Sequence, residues 1–168
     1  MDPLIDQFLR ESNAIEGVYD DQSLEDAHKA WEYLMTQDTL SVEMILEMHR
    51  ILMDRRGAWN DSTASLVGRE GIGRFREIPI WIGRREGLEA SKVPTAIELW
   101  CACQRILPCK TEKDAMDMHI RYEEVHPFAD GNGRTGRLLL NWTRVKVLGL
   151  PVLIIKESEK HAYYQLFR

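Results

Sequence analysis

No stretch of this 168-residue chain approaches the ~18 consecutive apolar residues that a membrane-spanning helix needs. Nor is there an excess of positive charge. Twenty-two Lys and Arg against 27 Asp and Glu give a formal net charge of −5, which argues against a general nucleic-acid or membrane surface and leaves room only for a local basic pocket. Cysteine is scarce: Cys101, Cys103 and Cys109 are odd in number and lack C-x-x-C spacing. Reduced core thiols are therefore expected, not a disulfide framework or a zinc site. The N-terminus is acidic and amphipathic with no apolar h-region, so no signal peptide is expected and the expected location is cytoplasmic. Repeats and low-complexity linkers are also missing. With 44% hydrophobic residues over 168 positions, one compact domain around a single core is expected.

What is present reads as mainly α. Asp2-Pro3 opens a short helix with an Asp cap and Pro in the first turn. Ser23-Leu24-Glu25-Asp26 resembles a capping box for a helix to about Met35. Val42, Ile45, Leu46, His49 and Leu52 follow helical spacing. Residues 57–73 have loop composition. Residues 78–82 are apolar and β-prone, and Gly83-Arg84-Arg85-Glu86-Gly87 turns. A small hairpin returning near residues 90–93 follows. Further helices are expected from Pro94 or Thr95 to about Leu107, from Thr111 to about Val125, near residues 133–148 and near residues 158–167. Residues 1–35 form N-terminal helices and residues 36–168 the core in this reading.

One run concentrates chemistry: His126-Pro127-Phe128-Ala129-Asp130-Gly131-Asn132-Gly133-Arg134-Thr135-Gly136-Arg137. Asp130-Gly131-Asn132-Gly133 has turn composition, since Gly tolerates positive φ and Asp and Asn bond their own backbone. A helix follows, so the turn empties into a helix N-terminus whose unpaired N–H groups and dipole favour an anion. Arg134 and Arg137, three apart, share a helix face. Cations at a helix N-terminus oppose the dipole unless an anionic ligand compensates. Two guanidinium forks beside such a nest suit a polyphosphate. Asp130 is placed to hold Mg²⁺ against those phosphates, and His126 stands at the edge as a base. Phe128 reads as a buried anchor for the turn.

The run resembles the signature of the Fic (filamentation induced by cAMP) proteins at every specified position. Similarity extends to His119-Ile120-Arg121-Tyr122-Glu123-Glu124-Val125, to Gly73-Arg74-Phe75-Arg76 followed by Ile78-Pro79-Ile80-Trp81-Ile82-Gly83, and to Gly149-Leu150-Pro151 and Tyr163-Tyr164, about residues 40–168 in all. The resemblance implies a helical bundle with a small β-hairpin flap beside the active site. It also implies adenylyl transfer: AMP moves from ATP to a hydroxyl of a target protein and pyrophosphate leaves. His126 would be the base. The backbone of Gly131, Asn132 and Gly133 and the Asn132 amide would meet the α-phosphate, Arg134 the β-phosphate and Arg137 the γ-phosphate. Mg²⁺ on Asp130 would bridge phosphates. Tyr163 and Tyr164 would contact the nucleotide. Ile80, Trp81 and Ile82 would form the flap edge that docks an extended target segment, although Trp81 could equally pack the hairpin onto the helices.

Upstream, Ser12-Asn13-Ala14-Ile15-Glu16-Gly17 resembles the family's inhibitory pattern, Ser/Thr-x-x-x-Glu-Gly/Asn. It implies that Glu16, with Ser12, competes with ATP for Arg137. The same residues also read as a plain helix end terminated by Gly17. Expected partners are ATP, a hydroxyl-bearing protein, the chain itself as a self-modification target, and a second copy in a homodimer; neither nucleic acid nor a membrane is expected. Three alternatives stay open: removal of AMP from a modified target, transfer of UMP, phosphocholine or phosphate, and a non-catalytic nucleotide-binding regulator of toxin–antitoxin type. The phosphate-transferring relatives carry Lys at the position of Gly133, which disfavours that branch.

Overall fold

The computed structural model describes residues 2–54, 71–83 and 85–167. Among these the chain is mainly helical, with one two-stranded antiparallel hairpin. Helix α1 (Pro3–Ile15) starts where the Asp2 carboxylate accepts the Leu4 N–H at 2.8 Å. It turns Phe8, Leu9 and Ile15 inward. Each fully buried side chain of this size is worth ~1.5–3 kcal/mol, so apolar contact is enough to dock α1. Helix α2 (Asp21–Met35) packs on α3 (Val42–Met53), which Ser41 caps through the Met44 N–H. Strands β1 (Trp81–Ile82) and β2 (Arg85–Glu86) follow. Helix α4 (Val93–Ile106) then leads to α5 (Glu112–Val125), whose Thr111/Asp114 capping box closes in both directions.

Helix α6 (Asn132–Trp142) is the axis of the bundle: ten of its eleven residues are buried. Leu138, Leu139 and Trp142 join Phe8, Trp31, Leu34, Met48 and Ile97 in one core. Two of the buried indole N–H groups of this core find backbone partners. Trp142 donates to the Leu34 carbonyl at 3.0 Å and Trp100 to that of Met118 at 2.9 Å. Helix α7 (Lys160–Tyr164) meets α5 through Tyr163 and His119, and the 3₁₀ turn after it packs on α5 as well. No helix among the described residues is long and apolar enough to cross a membrane.

Several local expectations are corrected. Helix α2 begins two residues before Ser23, because Asp20 takes the cap and accepts both the N–H and the hydroxyl of Ser23. The hairpin returns at Arg85–Glu86, pairing Trp81 with Glu86 and Ile82 with Arg85. Gly83, at φ 63°, reverses the chain at once, and residues 90–92 instead form a 3₁₀ turn into α4. The α-helical part of α6 stops at Trp142 and five residues of wider π turn follow; Thr143 bonds its hydroxyl back to the Leu139 carbonyl, a contact that loosens helices. The last helix is α-helical only over five residues, flanked by 3₁₀ turns. All three cysteines are free, but Cys103 is exposed, on the outward side of α4 with Leu99 and Ile106. Most of the loop expected at 57–73 lies outside the described residues.

Candidate active site

The turn that carries the site is braced from beneath. Phe128 is fully buried and stacks on the His49 ring, centroids 3.7 Å apart and planes 6° from parallel. His49 Nδ1 accepts the Gly73 N–H at 3.0 Å, so its proton sits on Nε2 and is donated to the Asp130 carbonyl at 3.1 Å. Burial pushes the His49 pKa down to about 4, which keeps this strut neutral. The Asn132 side chain closes the loop from the other side. Its Oδ1 accepts the Phe128 N–H at 2.8 Å and its Nδ2 donates to the Phe128 carbonyl at 2.7 Å. The Asn132 amide thus clasps the turn through two hydrogen bonds to one buried residue, in place of the expected reach toward the cleft. The backbone N–H of Asn132 keeps its place at the helix start. The Asp130 carboxylate accepts the Gly131 N–H at 2.7 Å.

That start presents backbone donors that no helical bond uses. Gly131 caps α6 at φ 77° without any side-chain bond. The first intrahelical donor is Thr135, at 2.9 Å from the Gly131 carbonyl, so the N–H groups of Asn132, Gly133 and Arg134 precede the ladder. Glu16 faces them. A Cβ on Gly133 would land on Glu16 Oε1, which explains why this position is bare. Arg137, 1% exposed, donates from Nη2 to Glu16 Oε1 at 2.7 Å and to the Ser12 carbonyl at 2.8 Å, and from Nε to Ser12 Oγ at 2.9 Å. The upstream motif is a helix end that contacts Arg137. Gly17, at φ 73°, ends α1, and the end of α1 is what holds Glu16 over Arg137. Arg134 is also buried, yet its only hydrogen-bond partner among the described residues is the Met53 sulfur at 3.1 Å.

His126 ends α5 in the left-handed region, φ 51° and ψ 66°, the one non-glycine residue at positive φ among those described. Its Nδ1 lies 3.1 Å from the Glu123 carbonyl. A carbonyl only accepts, so Nδ1 carries the proton and Nε2 the lone pair. Burial holds the imidazole below its ordinary pKa; the Glu123 carbonyl, Glu16 and Asp130 pull upward and the Arg76 charge pushes further down. Glu123 Oε2 is 3.7 Å from the same Nδ1. Its other oxygen is buried without a partner, against Gly136, where a Cβ would collide with it. Burial raises the Glu123 carboxyl to about 7, offset in part by Arg137.

Sequence reasoning assigned no role to Glu123, His49 or Arg76. Glu123 was findable, one helical turn before His126. Arg76 reads as one charge among several near the hairpin, and only the fold reveals that it is 4% exposed. The flap residues Trp81 and Ile82 line a cleft of about 1050 Å³ together with His126, Asp130, Gly133 and Tyr164. Trp81 is 67% exposed, so it does not pack the hairpin onto the helices. Ile80 is half-buried, and its carbonyl accepts the Gly87 N–H at 2.9 Å. Tyr163 also borders the cleft, but its hydroxyl is bonded to His119 Nε2 at 2.7 Å and its ring lies 5.7 Å from the Arg137 guanidinium. His119 in turn donates from Nδ1 to the Gly136 carbonyl. No group of three or more metal-ligating side chains occurs among the described residues. Asp130 is therefore a lone carboxylate, the kind of ligand that serves Mg²⁺ when phosphates supply the remaining oxygens.

The N-terminus of a central helix, the Arg137 guanidinium, the Glu16 carboxylate and the His126 imidazole line one cleft of a helical domain. The Fic/DOC family profile matches residues 39–143, more than half of the chain, and the chain belongs to that family. It is 30% identical over 130 residues to the protein adenylyltransferase Fic of Aedes aegypti, covering 76% of this chain and 24% of that protein. The protein adenylyltransferase fic-1 of Caenorhabditis elegans is 31% identical over 130 residues, covering 76% and 23%. The chain thus spans about a quarter of the length of these curated relatives. Among solved structures, Fic-1 (aa134 - 508) from C. elegans superposes with a TM-score of 0.76 at 22% identity, over 98% of this chain and 55% of that one. A Fic domain containing signaling protein from Bacteroides thetaiotaomicron gives 0.76 at 18%, over 96% and 69%. At these identities the superpositions establish the fold.

Proposed function

We propose that this domain is a protein adenylyltransferase that moves AMP from ATP to a hydroxyl side chain of a protein and is held back by Glu16. The observation that carries the reading is the Glu16 carboxylate, already lodged between Arg137 and the start of α6. It occupies a place built for an anion, and a nucleotide triphosphate is the anion that the family's named relatives suggest. In the active arrangement Arg137 turns to the γ-phosphate, while Arg134, short of partners in the chain, takes the β-phosphate. The N–H groups opening α6 face the α-phosphate oxygens. Asp130 would hold Mg²⁺, which when bound neutralises phosphate charge. His126 Nε2 removes the proton of the incoming hydroxyl as its oxygen bonds to the α-phosphorus. The bond from that phosphorus to the bridging oxygen breaks, and pyrophosphate departs with the electron pair.

Label from α-³²P-ATP, followed into protein, tests this. Glu16→Gly should raise self-modification at least ~10-fold, about 1.4 kcal/mol of barrier. Adding His126→Ala should lower it again by ~10²–10⁴, the usual worth of a general base. Label entering from γ-³²P-ATP instead would reject adenylyl transfer. Equal rates with and without Glu16 would reject the inhibitory role. Release of AMP from a modified protein by the wild type, lost in Glu16→Gly, would point to the reverse reaction.

A further inference from the structure

Among the described residues Arg76 is a heavily committed cation with no carboxylate partner. Its side chain is 4% exposed. Nε donates to the His126 carbonyl at 2.7 Å, Nη1 to that of Ile78 at 3.0 Å, and Nη2 to those of Leu88 and, at 3.3 Å, Val125. Its own backbone N–H donates to the Pro127 carbonyl at 2.9 Å. Among the described residues no carboxylate pairs with it, and burial is what depresses its pKa.

The acceptors fall into two groups. Ile78 and Leu88 are the two feet of the flap, just before β1 and just after β2. Val125, His126 and Pro127 are the end of α5 and the left-handed turn that aims the imidazole. A guanidinium, with five donors in one rigid plane, can span both; an ammonium cannot. We propose that Arg76 is a positioning residue that locks the target-docking flap to the base, so that an acceptor hydroxyl laid along the flap arrives at a fixed distance from His126. The inference deepens the adenylyltransferase reading and rests on it.

The neutral acceptors have a second consequence. A carboxylate partner would cancel the Arg76 charge, whereas four carbonyl oxygens leave it standing beside the imidazole. That charge opposes protonation of His126, as burial does, while Glu16 and Asp130 oppose it in turn and Glu123 approaches Nδ1. Arg85 lines the same cleft from β2. The residue that sets the geometry of the base therefore also helps to keep it free of its proton.

Two substitutions separate fork from charge, in the full chain carrying Glu16→Gly. Arg76→Lys keeps the charge and loses the planar fork; Arg76→Met loses both. The ring ¹⁵N shifts of His126, followed by NMR against pH, read the base directly without any need for activity. Arg76→Met should move the His126 midpoint upward, and Arg76→Lys should move it less. Self-modification from α-³²P-ATP should fall at least ~10-fold in both, with ADP affinity within about twofold of the parent. An unmoved midpoint in Arg76→Met, or full self-modification by Arg76→Lys, would overturn the proposal. Should Arg76→Met fail to fold, Arg76→Lys alone decides by the second criterion, with its circular dichroism matched to the parent. If the Glu16→Gly parent itself transfers no AMP, the adenylyltransferase reading fails, and the histidine midpoints still report whether Arg76 tunes the base.

Discussion

Arg134 and Arg137 lie one turn apart on the same helix, both buried, and the fold treats them differently. Arg137 is met by the Ser12 hydroxyl, the Ser12 carbonyl and the Glu16 carboxylate, all from the end of α1. Arg134 meets a thioether and leaves its Nε without a partner. A buried cation is costly unless paired. The chain offsets most of that cost for Arg137, whose Nη1 alone lacks a partner, and much less of it for Arg134. Arg137 thus meets one carboxylate, whereas Arg134 meets no carboxylate among the described residues.

The largest expected effect breaks the comparison on the ligand side. Arg134→Ala should weaken ADP binding by roughly 1.5–3 kcal/mol, the worth of a charge-assisted bond, while adenosine binding stays near the parent's. Calorimetry with both ligands checks this, and unchanged ADP affinity would remove Arg134 from the site. The next effect concerns stability and has opposite signs. Arg137→Met should lower the melting temperature, because it strands the Ser12 groups and Glu16, at roughly 1–3 kcal/mol for a buried group left unsatisfied. Arg134→Met should hold or raise it, because an uncompensated charge is removed next to Met53. For a domain of this size each kcal/mol is worth about 2–4 °C, well within calorimetric reach. Two equal losses would mean that Arg134 has a protein partner in solution.

The smallest effect sharpens the comparison from behind. Glu123 is a further acidic neighbour of Arg137, and burial raises its carboxyl to about 7. A carboxyl raised on folding contributes stability that is present below its unfolded pKa, near 4.5, and is lost as pH rises through 7. Glu123→Gln keeps the shape and removes that loss. Its melting temperature relative to wild type should therefore climb from pH 5 to pH 8. A flat difference would mean that Glu123 is ionised throughout and pairs with Arg137 as Glu16 does.

These contrasts also show how much the sequence disclosed. His126, Asp130, Gly131, Gly133, Arg134 and Arg137 could be placed around one helix start, because local turn chemistry and three-residue spacing suffice for that. Phe128 could be read as an anchor, and residue 128 is indeed fully buried. Asn132 could not be resolved: its amide suits a phosphate or a peptide equally, and only the closed loop assigns it to Phe128. The α2 start was misjudged because Asp20 and Ser23 both suit a cap and the backbone decides between them. The hairpin was drawn too long, since two-residue strands carry too little periodicity to read.

The sequence by itself determined the helical class, the anion-seeking turn and the identity of the groups around it, because these follow from neighbours within a few residues. The upstream motif already pointed to Glu16, 121 residues from Arg137; the tertiary structure alone decided what lies 81 residues away at His49 and Met53, and 50 residues away at Arg76. The contacts of His49, Met53 and Arg76 depend on how distant buried segments pack, and packing brings together groups whose separation along the chain holds no hint that they meet.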